Sequence, residues 1–320
     1  MSGTLDVIVR LVLTLGLAMA AAAMLVWTER RLLSAFQDRY GPNRVGPFGL
    51  LQLVADSIKL FTKEDWVPPF ADRVPFILAP TIIVGTGLLS FAVVPFTAAG
   101  AIADLNIGVL YFLALSSMSV YSIMLAGMAS NSKYSLLGAV RAAGQMISYE
   151  LAMGLSLASV VALAGSFNIR EIVAAQQGIP YVVLQPLAFL LFVIAGLAES
   201  KRSPFDLPEA ENEIVAGYHT EYSSMKFAFF FLGEYLALIL FSSIATAMFL
   251  GGGNGPWLPP LLWFAIKMAA IVYVFIWVRA TFPRVRYDRL MAFGWKVMVP
   301  LALLNLLVTG ALVVAGSTGG

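Results

Sequence analysis

ESKRSPFDLPEAENEIVAGYHTEY, residues 199–222, sets six carboxylates (Glu199, Asp206, Glu209, Glu211, Glu213 and Glu221) between two long apolar runs. Two further acids, Glu150 and Glu234, lie inside neighbouring apolar segments. A charge at a bilayer centre costs about 2.5–3.5 kcal/mol even on a lenient insertion scale. For Asp206 and Glu209 alone, a solvated acidic loop accounts for the residues as well as a functional role does. For Glu150, Glu199, Glu221 and Glu234 together, a polar path into the membrane is the better reading.

Working outward, eight apolar stretches are long enough to cross about 30 Å of hydrocarbon at 1.5 Å per residue. They run over 5–27, 74–95, 105–128, 136–164, 180–199, 222–249, 259–280 and 294–315. Across all 320 residues, 60% are hydrophobic and 12% charged, with a mean hydropathy of +0.86. Soluble domains carry about 25% charged residues, so the chain reads as an all-α polytopic membrane protein, a single integral membrane domain over 1–320. The first apolar run is a retained span rather than a signal peptide, because Glu29, Arg30 and Arg31 follow it and only Arg10 precedes it.

The twenty cations sort by connection. Seven (Arg30, Arg31, Arg39, Arg44, Lys59, Lys63, Arg73) fall between the first two spans, and Lys133 and Arg141 flank the third connection. Lys201, Arg202 and Lys226 flank the fifth; Arg279, Arg284, Arg286, Arg289 and Lys296 flank the seventh. That places seventeen on one side against Arg10 and Arg170 on the other, with Lys267 inside a span. The positive-inside rule then predicts cytoplasmic odd connections and both termini on the opposite face of the membrane. Trp27, Trp66, Trp257, Trp277 and Trp295 fall at or near predicted span ends, where amphipathic rings settle. Gly16 with Ala20, and Gly154 with Ala158, are spaced to permit close helix contact, and Pro80, Pro186 and Pro300 are expected to bend their spans.

Composition also excludes. The chain has no cysteine and a single histidine, His219, so thiolate-ligated iron–sulfur clusters, disulfides and a bis-histidine haem site cannot belong to it alone. No Gly-rich dinucleotide or phosphate-loop fingerprint occurs, and a net charge of +2 gives no reason to expect nucleic acid. A redox centre must sit in a partner, or the substrate must dissolve in the membrane.

The connection 28–73 is more than a linker. GPNRVGP (41–47) reads as a turn. From Phe48 to Glu64 an amphipathic helix is expected, with Gln52, Asp56, Lys59 and Lys63 on one polar stripe and Leu50, Leu53, Val54, Ile58 and Phe61 on the apolar face. Such a helix can lie on the membrane surface, or its stripe, with Arg30, Arg31 and Arg44, can rim a cavity opening there.

Three blocks, ERRLLSAFQDRYGPNRVGPFGLLQLVADSIKLFTKED (29–65), NSKYSLLGAVRAAGQMISYE (131–150) and SPFDLPEAENEIVAGYHTEYSSMKFAFFFLGEY (203–235), closely resemble the H-subunit family of the proton-pumping NADH–quinone oxidoreductase, respiratory complex I. The likeness extends to RATFPRVRYDRLMAFGWKVMVPL (279–301). Membrane-bound hydrogenases share a looser version of the first block. The resemblance implies a membrane component between the hydrophilic redox arm and the antiporter-like subunits, in contact with lipid. Flavin and iron–sulfur clusters would then sit in those partners, quinone would be the substrate, and no cofactor would be held by this chain. It carries a quinone-chamber role to Arg30, Arg31, Asp56, Lys59 and Arg279, and a proton-path role to Glu150, Glu199, Glu211, Glu213, Glu221 and Glu234.

Elementary electrostatics stands beside this. Carboxyl groups in low dielectric and close to one another hold exchangeable protons near neutral pH, and they titrate as a set. Lys267, mid-span, is a candidate charge partner for one of the acids, and His219 reads as a packed polar residue more than a proton carrier. On the residues alone a stand-alone ion transporter also suits intramembrane acids, but no inverted repeat is visible. A passive anchor in a hydrogenase-like complex is the third reading.

Overall fold

The structure, a computed structural model, describes residues 2–96, 101–207 and 215–318, without the side chains of residues 2–8, 10, 317 and 318. Glu209, Glu211 and Glu213 lie outside the described residues, as does the side chain of Arg10. The described residues contain no strand; backbone groups in hydrocarbon are satisfied within helices. In order the helices are α1 (Ser2–Phe36), α2 (Gln52–Thr62), α3 (Arg73–Ser90), α4 (Gly108–Ala129), α5 (Lys133–Ala164) and α6 (Ile169–Ala175). There follow α7 (Tyr181–Leu184), α8 (Pro186–Glu199), α9 (Ser224–Phe249), α10 (Pro260–Thr281), α11 (Tyr287–Phe293) and α12 (Val299–Thr318).

Among the described residues, seven helical rods are long and apolar enough to cross a membrane. Stretch 180–199 is not one of them. Pro186 has no N–H and pushes the residue before it out of the helical region; Gln185 accordingly sits at φ −130°, ψ 54°, dividing α7 from the 14-residue α8. At this break the side-chain amide of Gln185 is held between helices. Gln185 donates to Thr309 Oγ1 at 2.8 Å and accepts from Asn305 Nδ2 at 2.8 Å, while Asn305 also reaches Ser159 Oγ at 3.1 Å.

Two span ends also differ from expectation. α1 continues past Trp27 to Phe36, because nothing between 28 and 36 breaks a helix, and Glu29, Arg30 and Arg31 ride on the extension. The last rod begins at Tyr287 and passes through a π-helical segment, Gly294–Met298, just ahead of Pro300. A proline removes one helical donor, and a widened turn is one way the ladder accommodates it.

α9 is the most enclosed of the rods. Its Ser242, Ser243 and Thr246 donate to carbonyls four residues back at 2.7–2.8 Å and present small, satisfied surfaces to their neighbours. At the rim the pattern inverts: Leu17 of α1 and Leu307 and Leu312 of α12 are 64–69% exposed, as lipid-facing residues should be. The small-residue contacts are not where spacing predicted them. Gly16 and Ala20 face outward, a side chain at Gly16 would meet nothing within 4 Å, and one at Gly154 would just touch Leu113. Close approach occurs instead at Gly138, where an added Cβ would lie 2.6 Å from Gly217 Cα. That contact presses the turn Gly217–His219 onto α5 and turns Tyr218 fully inward.

Candidate functional site

The loop 28–73 folds back along the extension of α1. Arg31 donates to the carbonyl of Pro42 at 3.3 Å and lies over the Trp27 ring at 5.7 Å, and Trp27 Nε1 donates to Phe48 O at 3.1 Å. These contacts hold the GPNRVGP turn. Only the first half of the polar stripe of α2 turns toward α1: Asp56 accepts from Arg30 at 2.7 Å and from Gln52 at 3.0 Å, while Lys59 and Lys63 are exposed. Burial pushes the Asp56 carboxyl up, but the hydrogen bonds from Arg30 and Gln52 and the charges of Arg30 and Lys59 outweigh it and hold it below its ordinary value. Asp56 is therefore an anion at neutral pH. Val54, Ile58 and Phe61, on the opposite face, are more than half exposed. The far end of α2 is fastened to the start of α9 by Ser224, which donates to Leu60 O and Lys63 O at 2.9 Å, and by a Lys226–Asp65 pair at 2.6 Å.

Beneath this loop lies a polar cavity of about 200 Å³ lined by Glu29, Arg30, Lys201, Arg202, Asp206, Glu234, Tyr235 and Arg279, among others. Glu29, 3% exposed, accepts from Arg202 at 3.0 and 3.2 Å and pairs with Arg279. Arg202 lies 4.3 Å from the Tyr235 ring. Burial pulls the Arg202 guanidinium pKa down, yet the Glu29 carboxylate, Tyr235 and Glu234 together outweigh it and raise it. Asp206 is held by Arg284 at 2.8 Å.

Deeper in the bundle, Lys201 Nζ sits 3.0 Å from Tyr218 Oη and 3.6 Å from Glu234 Oε1, and Tyr218 donates to the same oxygen at 3.2 Å. A second cavity, of about 40 Å³, is lined by Ser116, Glu199, Lys201 and Glu234 with apolar residues of α3, α4 and α9. Lys201 and Glu234 thus border both cavities. Glu199 lies 3.5 Å from Ser116 Oγ, and the adjacent Ser117 donates to Glu150. Two consecutive serines of α4 thereby connect Glu199 on α8 to Glu150 on α5.

Of the residues singled out from sequence, Glu199 and Glu234 are buried beside one inner cavity and the half-buried Glu150 joins them through Ser117 and Ser116, while Arg30 and Arg279 line the loop-side cavity with Asp56 anchoring the former. Lys59 is exposed on α2 and Arg31 points to the turn instead. Glu221, half-buried, is not among the residues lining either cavity; Glu211 and Glu213 lie outside the described residues. His219 packs edge-on against Tyr218 and Phe227. Among the described residues Lys267 meets no acid. Its ammonium donates to the carbonyls of Leu250, Gly252 and Asn254 at 2.7, 3.0 and 2.7 Å, just past the end of α9, where carbonyls lack helical donors and carry partial negative charge.

Sequence reasoning passed over Glu29, Lys201, Arg202 and Tyr218. Lys201 and Arg202 lay inside the acidic stretch 199–222 but served only as topology markers. Among the described residues no group of three His, Cys, Asp or Glu side chains is placed to hold a metal.

The chain is similar to known proteins along nearly its whole length. A family model described as NADH dehydrogenase matches residues 9–310. NADH-quinone oxidoreductase H subunit 1 of Geobacter metallireducens is 58% identical over 298 residues, 90% of this chain and 91% of that protein. NADH-quinone oxidoreductase H subunit 2 of Syntrophobacter fumaroxidans is 54% identical over 319 residues, covering 97% of this chain and 96% of that protein. The NADH-quinone oxidoreductase H subunit of Methylococcus capsulatus is 58% identical over 291 residues, with 91% and 92% covered.

Proposed function

Because the chain belongs to the NADH dehydrogenase family and is, like the H subunits it matches, a multi-pass membrane component of NADH-quinone oxidoreductase, we propose that its loop-side cavity forms part of the quinone chamber and that Glu234, Glu199 and Glu150 carry protons from it. The redox centres and the antiporter-like pumps then belong to partner subunits, and this chain is not catalytic alone. The observation that carries the reading is the shared border. Lys201 and Glu234 line both the polar cavity and the inner one, so quinone chemistry in the first is one side chain away from the buried carboxylates of the second.

The roles follow from the geometry. Asp56, held as an anion, fixes Arg30 at the cavity wall, so it positions charge for a quinone headgroup rather than donating a proton. Glu29, Arg202 and Arg279 set a fixed field in the same wall. Reduction of a quinone in that cavity draws protons and changes the local charge, and the nearest buried acids respond as a coupled set. Asp56→Asn should leave assembly and NADH:ferricyanide reduction near wild type while lowering quinone reduction; normal quinone kinetics in the assembled variant would remove Asp56 from the chamber. Glu150→Gln should lower quinone reduction and proton pumping together in assembled complex.

The same reading sets the orientation: the 28–73 loop and the loop-side cavity on the cytoplasmic side, both termini periplasmic, since seventeen cations against two favour it. A Gly316→Cys variant is a clean reporter in a chain without cysteine. Labelling only by reagents that reach the cytoplasm would reverse the topology.

A further inference from the structure

Three features converge on Lys201 and no part of the function above uses them together. The residue is 4% exposed and its ion pair with Glu234, at 3.6 Å, is loose for a buried pair. Glu199, 3% exposed, lines the same inner cavity and its Oε2 is buried without a hydrogen-bond partner. The cavity of about 40 Å³ that the three share is larger than the roughly 10–15 Å³ needed to admit one water-sized group, the size of an ammonium head. A buried carboxylate oxygen with no donor is costly, and among the described residues the one long, rotatable cation bordering that space is Lys201.

We propose that the Lys201 ammonium is a movable cation that pairs alternately with Glu234 and Glu199 across their shared cavity, and thereby passes protons one at a time from the loop-side cavity toward Glu150. The proposal rests on the reading of these glutamates as a proton path. The scheme starts from the arrangement in the structure, with Lys201 and the Tyr218 hydroxyl against Glu234 as the carboxylate and Glu199 carrying a proton. When the ammonium swings to Glu199, that acid becomes the anion and releases its proton toward Ser116, Ser117 and Glu150. Glu234, left by the cation, takes one proton from the loop-side cavity. On the return swing Glu234 passes that proton to Glu199 and both acids are restored. Lysine stays an ammonium throughout, no electron moves, and each cycle transfers one proton. The other charges lining the loop-side cavity are held in pairs and stay fixed: Glu29 with Arg202 and Arg279, Arg30 with Asp56, and Asp206 with Arg284.

Lys201→Arg separates a switch from a fixed ion pair. A guanidinium keeps the charge and grips a carboxylate bidentately, so it can hold Glu234 but cannot swing in so small a space. In membranes containing the whole complex, Lys201→Arg should assemble normally on blue-native gels and reduce ferricyanide with NADH at the wild-type rate. Quinone reduction and pumping should fall about fivefold or more, an ordinary coupling between two sites. Adding Glu199→Gln should cause no further fall, because both substitutions stop the same step. Wild-type pumping in Lys201→Arg, failure of that variant to assemble, or a double variant whose losses multiply marks Lys201 as a static partner and overturns the proposal. Glu150→Gln on the same membranes separates the two levels. Reduced pumping there beside a wild-type Lys201→Arg leaves the path standing without the switch, whereas wild-type pumping in Glu150→Gln removes the path and the switch with it.

Discussion

At the end of the bundle that carries the 28–73 loop, the buried polar groups include five ionisable side chains: Glu29, Glu199, Lys201, Arg202 and Glu234. At the opposite end the buried polar groups are neutral, chiefly amides, and the ions, Lys267 and the Asp104–Arg170 pair among them, are half-buried or exposed. Gln176 donates to the carbonyls of Ala247 and Met248 at 3.0 and 3.2 Å, and Gln185 and Asn305 bridge α8, α5 and α12. The nearby cavity, about 560 Å³ and lined by Leu17, Phe91, Phe96, Ile239 and Phe264 among others, is apolar. Both ends face the same problem, helices that break or end inside a membrane, and the amide end shows that neutral groups solve it. Ions are therefore not needed for packing at the loop end. They are the more expensive solution, and their presence there is best accounted for by chemistry that requires charge.

The contrast makes graded predictions. Glu29→Leu should have the largest effect on stability, because it leaves Arg202 buried with its counter-charge gone at a cost of about 3–5 kcal/mol; loss of assembled complex on native gels reads it. Little change would mean that the arginines find water or another acid, and the fixed wall of the chamber would be wrong. Gln185→Ala should cost less, about 1–3 kcal/mol for polar groups left unsatisfied, read as a lower unfolding temperature of purified complex with wild-type activity per assembled molecule. Arg30→Met should cost least, about 0–1 kcal/mol, since the Arg30–Asp56 pair is partly exposed and screened. Its signature is pH dependence instead. Asp56 has a lowered pKa, so the pair's contribution is present above the ordinary carboxylate range and is lost as pH falls through the lowered value. Proteolysis of the 37–51 turn should rise in acid for the wild type and be high at all pH in Arg30→Met.

Much of the fold was legible because hydrophobic length is a one-dimensional signal: seven of eight expected apolar runs are long rods. The eighth failed at Pro186, where the sequence showed a bend but not that Asn305 and Thr309, 120 and 124 residues away, would hold the side-chain amide of Gln185 beside it. The site was legible as a set of acids and illegible as a set of pairs. Glu29 meets Arg202 across 173 residues and Arg279 across 250, and periodicity within one helix reveals a face, never the partner that another helix brings. Lys267 taught the same lesson in reverse. A mid-span lysine suggested an acid, and three carbonyls beyond a helix end supplied the negative charge instead.

The claim that charge at the loop end serves proton movement, while polarity at the other end serves packing, is tested most directly by measuring protons pumped per assembled complex in Glu150→Gln beside Gln185→Ala. The account predicts full assembly with pumping and quinone reduction lowered together in Glu150→Gln, and reduced assembly with undiminished pumping per complex in Gln185→Ala. Full pumping in an assembled Glu150→Gln complex, or its failure to assemble while Gln185→Ala loses pumping instead, would contradict it.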